Sequence, residues 1–126
     1  NPVYYVQYAH ARICTLLKNL AADGHTVPAP DAVDFSLLTD PTELALIKQI
    51  AGYSDIVRLA ARDYDPSFIN RYLTDLAAAF HKFYNACRVG VDDEKLRAAR
   101  LYLCCRVKDV MGIILTEFKI TVPESM

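Results

Sequence analysis

Between residues 69 and 87 the apolar side chains Ile69, Leu73, Leu76, Phe80, Phe83 and Cys87 follow one another at spacings of 4, 3, 4, 3 and 4. On an α-helix that spacing gathers all of them into one stripe, whereas a strand would scatter them over both faces. A helix with an unbroken seam has to be covered along its length, so the chain is committed to burying helix against helix. The same period returns nearer the N-terminus in Val6, Ala9, Ile13, Leu16, Leu17 and Leu20, and nearer the C-terminus in Leu96, Ala99, Leu103, Val107, Val110 and Ile114. No strand pattern and no internal repeat competes with it. The fold class expected is therefore all-α: a helical bundle of three long and two short helices, antiparallel where connections are short, with an extended C-terminal tail.

Caps and breakers set the boundaries. Asn1-Pro2 supplies an N-cap and a first-turn proline, so the first helix is expected from about Pro2 to about Ala22, where Asp23-Gly24, Pro28 and Pro30 end it. The stretch that follows is expected to be extended and carries the apolar patch Phe35, Leu37 and Leu38. Asp40-Pro41-Thr42-Glu43 has the form of a capping box ahead of a short second helix that stops at Gly52. Tyr53 to Asp63 reads as a third helix with Ile56, Leu59 and Ala60 inward. Asp65-Pro66 repeats the cap-and-proline signal for the fourth, and the fifth begins near Asp92 or Asp93 and reaches about Phe118. Lys119 to Met126, with β-branched residues and Pro123, reads as the tail.

A length of 126 residues is one domain's worth of chain, able to bury a core without disulfides or a structural metal. Cys14, Cys87, Cys104 and Cys105 show no C-x-x-C spacing, and His10, His25 and His81 fall in different predicted elements. Free, mostly buried thiols in a reducing cytosol and no metal site are therefore expected. No apolar run reaches the length of a membrane span, and the first residues lack the basic-then-apolar pattern of a secretion signal. The net charge of −1 argues at first against a polyanionic partner, but it is unevenly laid out: residues 1–22 carry +2, 23–65 carry −5 and 66–126 carry +2. The two ends could face a polyanion together if the fold brings them side by side.

No Gly-rich phosphate loop, nucleophile elbow, His-Glu-x-x-His pair or isolated carboxylate cluster is present, so no catalytic residue is assigned. Binding must then reside in what the helices leave outside the core. On the first helix Tyr8 lies roughly 130° from the centre of the seam and Arg12 roughly 90°, with Tyr4 one turn before Tyr8. Tyrosine beside arginine at a helix margin suits single-stranded nucleic acid, because an unpaired base stacks on the ring while the guanidinium meets phosphate or a base edge. Tyrosine at the rim of a core is the structural alternative. A second such group closes the fourth helix, where Tyr84 sits about 60° off the seam and Arg88 follows one turn later.

The segment Asn1-Pro2-Val3-Tyr4-Tyr5-Val6-Gln7-Tyr8-Ala9-His10-Ala11-Arg12 closely resembles the opening of the DALR-type anticodon-binding domain at the C-terminus of arginyl-tRNA synthetases. Asp65-Pro66 with Tyr72-Leu73 and Asp75-Leu76, then Phe83-Tyr84-Asn85-Ala86-Cys87-Arg88-Val89 and the ending Val122-Pro123-Glu124-Ser125-Met126, are similar to the same domain in the same order. The resemblance implies that residues 1–126 form a single anticodon-binding domain of a larger cytoplasmic class I aminoacyl-tRNA synthetase, an arginine–tRNA ligase. Its partners would be the anticodon loop of arginine tRNA and the catalytic domain of the same enzyme, with neither DNA nor membrane. It implies no cofactor in this domain, with ATP, magnesium and arginine handled by the catalytic domain. Carried over by position, the tRNA-binding residues are Tyr8, Tyr84 and Met126, flanked by Gln7, Arg12 and Arg88, while His10 takes a structural or supporting role. The Met126 carboxylate would accept from the exocyclic amine of the central cytosine of the anticodon. The sequence departs from the family at Lys119, where glycine is usual, and at Ser125, where a basic residue is usual. Two alternatives stand beside this reading: the related anticodon domain of glycyl-tRNA synthetase, and a helical protein-interaction module.

Overall fold

The seam of residues 69 to 87 becomes the middle of the molecule. In the computed structural model, which describes residues 2–63, 65 and 67–117, five α-helices follow in order. They are α1 (Pro2–Ala22), α2 (Pro41–Ala51), α3 (Tyr53–Asp63), α4 (Ser67–Ala86) and α5 (Glu94–Glu117). No strand occurs among the described residues. Helix α4 packs against all four others; α1 lies on α4 and α5, and α2 and α3 lie on α4. All six seam residues of the segment are buried, Phe80 and Phe83 completely. The expected tail, with Met126, Lys119 and Ser125, lies outside the described residues, as does the cap at Asn1.

Local chemistry explains the boundaries. Helix α1 ends in a Schellman turn: His25 N–H donates to the Leu20 carbonyl at 2.8 Å and Gly24 N–H to that of Ala21 at 3.0 Å. Gly24 takes φ +87°, the left-handed conformation such a turn demands. The capping box of α2 forms as the sequence predicts, Asp40 accepting the Thr42 backbone N–H at 2.9 Å and donating its own N–H to Glu43 Oε1 at 3.0 Å. The Thr42 hydroxyl and N–H hold the Asp40 carboxyl below the usual carboxylate range. Asp65 caps α4 by accepting the Ser67 N–H, and Asp93 caps α5 by accepting those of Lys95 and Leu96.

Two expectations are corrected. The stretch after α1 is not simply extended but contains two single 3₁₀ turns, Pro30–Ala32 and Phe35–Leu37. Proline opens the first and the Asp34 carboxylate accepts the Ser36 N–H within the second, giving the backbone local partners that an extended segment lacks. Leu38 is buried beneath this connection, and Phe35, still half exposed, meets Tyr102 edge-on at 5.5 Å. Helix α3 was expected to bury an inner face, yet none of its residues is fully buried. It is an outer layer: Ile56 and Ala60 touch the core from its rim. All four cysteines are free thiols, with Cys87 and Cys104 buried and Cys14 and Cys105 half-buried. Burial pushes the Cys104 thiol up to about 12.

Candidate nucleic-acid interface

Helix α1 packs on α4, and Val6, Ala9 and Ile13 of α1 share one buried core with Phe80 and Phe83 of α4. The residues that flank those two stripes on the same rim are Tyr5, Tyr8 and Arg12 from α1 and His81 and Tyr84 from α4. They form one cluster. The Arg12 guanidinium carbon stands 3.6 Å from the centroid of the Tyr84 ring, a close cation–π contact. Arg12 Nη1 lies 3.2 Å from His81 Nδ1. The His81 ring is wedged among Tyr5 at 5.2 Å, Phe80 at 5.7 Å and Tyr8 at 5.9 Å between centroids.

The cluster opens onto a groove of about 250 Å³ lined by Tyr8, Ala11, Arg12, Thr15, Leu16, Asn19 and Tyr84. Tyr8 is 43% exposed, which leaves its ring open to a flat partner. Past Tyr84 a second groove of about 550 Å³ continues along Leu16, Asn19 and Tyr84 toward His25, Asn85 and Arg88. Together they make a shallow trough whose polar walls include two tyrosines, two arginines, two side-chain amides, His25 and the Asp23 carboxylate.

Electrostatics agree with that geometry. Arginine has five donors and no acceptor, so the Arg12–His81 bond requires an unprotonated Nδ1 on His81. Burial, and secondly the charge of Arg12, push His81 below the usual imidazole range. Its Nε2 is buried with no hydrogen-bond partner. Among the described residues no carboxylate pairs with Arg12, so none of them neutralises its charge. The two basic ends of the chain do meet, because α1 packs on α4 and α5, while the acidic middle third attaches through α2 and α3.

Beyond the trough, a lock holds the segment that carries Arg88. Arg100 of α5 pairs with Glu43 of α2 at 2.8 Å, their side chains 13% and 1% exposed. Its Nη1 donates to the Arg88 carbonyl at 2.8 Å, and Cys87 Sγ lies 3.6 Å from the Thr42 hydroxyl. Glu43 therefore closes the α2 capping box with one oxygen and anchors the exit of α4, through Arg100, with the other.

The DALR anticodon binding domain family model matches residues 6–126. The chain belongs to the DALR anticodon-binding domain family. It is 47% identical over 126 residues to an arginine–tRNA ligase of Ruminiclostridium cellulolyticum and 46% identical to that of Moorella thermoacetica. In each case all of this chain aligns with 22% of the relative, so the DALR domain spans about a fifth of their length. Among solved structures it is similar to the Thermus thermophilus arginyl-tRNA synthetase, with a TM-score of 0.79 and 32% identity, over 97% of this chain and 21% of that one.

Of the sequence-predicted residues, this DALR domain brings Tyr8, Arg12 and Tyr84 into one groove and sets Arg88 in the lining of the next. The cation over Tyr84 is Arg12 from across the interface, where the helix spacing had paired Tyr84 with Arg88. A single site thus replaces two separate tyrosine–arginine groups. Gln7 is half-buried and lines neither groove, and His10 is 5% exposed beside Cys14, in keeping with a structural role. Tyr4, 58% exposed, stands outside the trough, and Tyr5 takes the place beside His81. His81 itself was not singled out from sequence, although His81-x-x-Tyr84 puts both on one helix face. Among the described residues no cluster of His, Cys, Asp or Glu could hold a metal ion, and no helix is long and apolar enough to cross a membrane.

Proposed function

We propose that this DALR domain is the tRNA-reading domain of an arginine–tRNA ligase and that the Tyr8–Arg12–Tyr84 trough receives unpaired bases of the anticodon loop. The observation that carries the proposal is the convergence on one groove of the exposed Tyr8 ring and the Tyr84 ring with Arg12 stacked on it, an arginine that no carboxylate among the described residues neutralises. That combination offers stacking at about 1–3 kcal/mol per base together with phosphate attraction. Relatives matched over the whole of this chain are arginine–tRNA ligases, which supports arginine tRNA as the partner. In this reading Met126, Gln7 and Arg88 flank the bound loop. ATP, magnesium and arginine belong to a catalytic domain elsewhere in a cytoplasmic enzyme, and the chain carries no catalytic residue of its own.

The mechanism is one of capture and sorting. Phosphates are drawn to Arg12 and Arg88, and bases that leave the loop stack find flat aromatic faces in the trough. A base whose edge does not suit the surrounding donors and acceptors leaves them unpaired and is rejected. The test is a titration of a fluorescent arginine-tRNA anticodon stem-loop against this chain at two salt concentrations, alongside a stem-loop with the central cytosine replaced. Tight binding with a strong salt slope, lost on the cytosine replacement, is expected. Equal affinity for both stem-loops would sink the anticodon assignment, and salt-insensitive binding without tRNA preference would favour a protein-interaction module.

A further inference from the structure

Every other member of the cluster is accounted for by stacking or charge, but His81 is not. Its ring is packed among Tyr5, Tyr8 and Phe80, and it supplies no charge in the protonation state its bond to Arg12 demands. We infer that His81 is a positioning residue: its unprotonated Nδ1 accepts from Arg12 and holds the guanidinium over Tyr84, so that Arg12 becomes part of the stacking platform instead of a free surface cation. The inference rests on the anticodon-loop reading for its consequence, but its geometry does not depend on RNA.

Three observations converge on it. The hydrogen bond and the cation–π contact act on the same guanidinium from two residues one helical turn apart, at 3.2 Å and 3.6 Å, which fixes its orientation as neither could alone. A neutral ring accepting at Nδ1 must carry its proton on Nε2, and that nitrogen is buried and unpartnered. The ring therefore forgoes one hydrogen bond while making the other, which a phenylalanine in the same wedge would do neither of. Finally, the titratable groups packed against His81 among the described residues are Arg12, Tyr5 and Tyr8, all from α1, while α4 adds the Phe80 ring. Arg12 is thus the one cation facing it and no carboxylate stabilises its protonated form, in line with burial and Arg12 both holding its pKa down. Protonation would set a donor against a donor and release Arg12 from Tyr84.

Two substitutions separate this from mere packing. His81→Asn keeps an acceptor near the Nδ1 position and cannot titrate; His81→Phe keeps the ring and removes the acceptor. Anticodon stem-loop affinity is expected to fall about tenfold in His81→Phe, as for one lost hydrogen bond to a charged group, and to stay within about twofold in His81→Asn. Equal loss in both variants, or loss in neither, overturns the inference. If Tyr8→Ala and Arg12→Ala also bind like wild type, it is the anticodon reading that has failed. A second measurement needs neither RNA nor a variant that folds. In the wild-type NMR spectrum the Arg12 side-chain protons, shifted by the Tyr84 ring current, should move to their unshifted positions as His81 titrates. Arg12 signals that ignore the protonation of His81 refute the positioning role even if the RNA results stand.

Discussion

Two arginines meet the C-terminal part of α4 and its exit, and they are held in contrasting ways. Arg100 is enclosed, its charge cancelled by a fully buried Glu43 and its Nη1 donating to the Arg88 carbonyl. Arg12 is half exposed and bound by partners that carry no charge, a histidine nitrogen and a tyrosine face. The first arrangement uses up the arginine inside the protein. The second fixes the guanidinium in place while leaving its charge available to something outside. An arginine that is ordered but not neutralised is what a polyanion-reading surface needs, since it is already oriented before binding and has no internal ion pair to break.

The contrast can be broken most forcefully at Glu43. Glu43→Ala removes the partner of a buried cation and one half of the α2 capping box, and is expected to cost about 3–5 kcal/mol of stability in urea denaturation. Stem-loop affinity of the fraction that remains folded should be little changed. Arg12→Ala should show the reverse pattern. Its stability loss should be about 0.5–1 kcal/mol, the value of a cation–π contact near the surface. Its RNA affinity should fall by about 1–3 kcal/mol, with a salt slope smaller by about one phosphate contact. If both arginines affect stability and binding in the same proportion, the division of labour between them is wrong.

A finer comparison sets two tyrosines of α4 side by side. Tyr72 is buried on the α2 side, where its hydroxyl donates to the Gln49 carbonyl at 2.6 Å; burial, with Tyr53 beside it, pushes its pKa up to about 12. Tyr84 lies on the α1 side and offers its ring. Tyr72→Phe should therefore cost about 1 kcal/mol of stability, the worth of one internal hydrogen bond, without touching RNA binding. Tyr84→Phe should be neutral for stability and binding alike, because it keeps the ring on which Arg12 is stacked. A Tyr84→Phe variant that loses stem-loop affinity would shift the emphasis from the ring to the hydroxyl.

How much of this was legible in the sequence depends on whether the signal was local. The capping box at Asp40, the caps at Asp65 and Asp93 and the seam from Ile69 to Cys87 are all written within a few residues of where they act, and the structure reproduces them. Helix α3 and the turns at Pro30 and Phe35 were misjudged because burial there is decided by which neighbours are missing, which periodicity does not reveal. At the site, Tyr8, Arg12 and Tyr84 were each visible as residues beside a seam. Their convergence was not, because it depends on α1 packing against α4, a tertiary fact that joins Arg12 to Tyr84 across 72 positions of sequence. Sequence therefore paired Tyr84 with the arginine one turn away and passed over His81, which acquires its meaning from Arg12.

The smallest effect, and the most specific to the Arg12 side, is in the pH dependence of folding. His81 has its folded-state pKa lowered relative to the ordinary value of about 6.5, so the folded domain binds fewer protons there than the unfolded chain. Its contribution to stability is then fully present above the unfolded pKa and is lost as pH falls through the folded one. The capping carboxylates Asp34, Asp40 and Asp65 are also lowered, by hydrogen bonds from Ser36, Thr42 and Ser67, and by the same sign rule their contribution is lost as pH falls through their folded pKa values. That loss falls below the usual carboxylate range, at more acid pH than the histidine's, so the two windows are separable. Unfolding free energies of wild type and His81→Asn, measured from neutral pH downward, should diverge first in the histidine window, with wild type falling faster, and then run parallel through the carboxylate window. Parallel curves throughout would mean that His81 titrates alike in the folded and unfolded chains, and that Arg12 is held over Tyr84 by the ring alone.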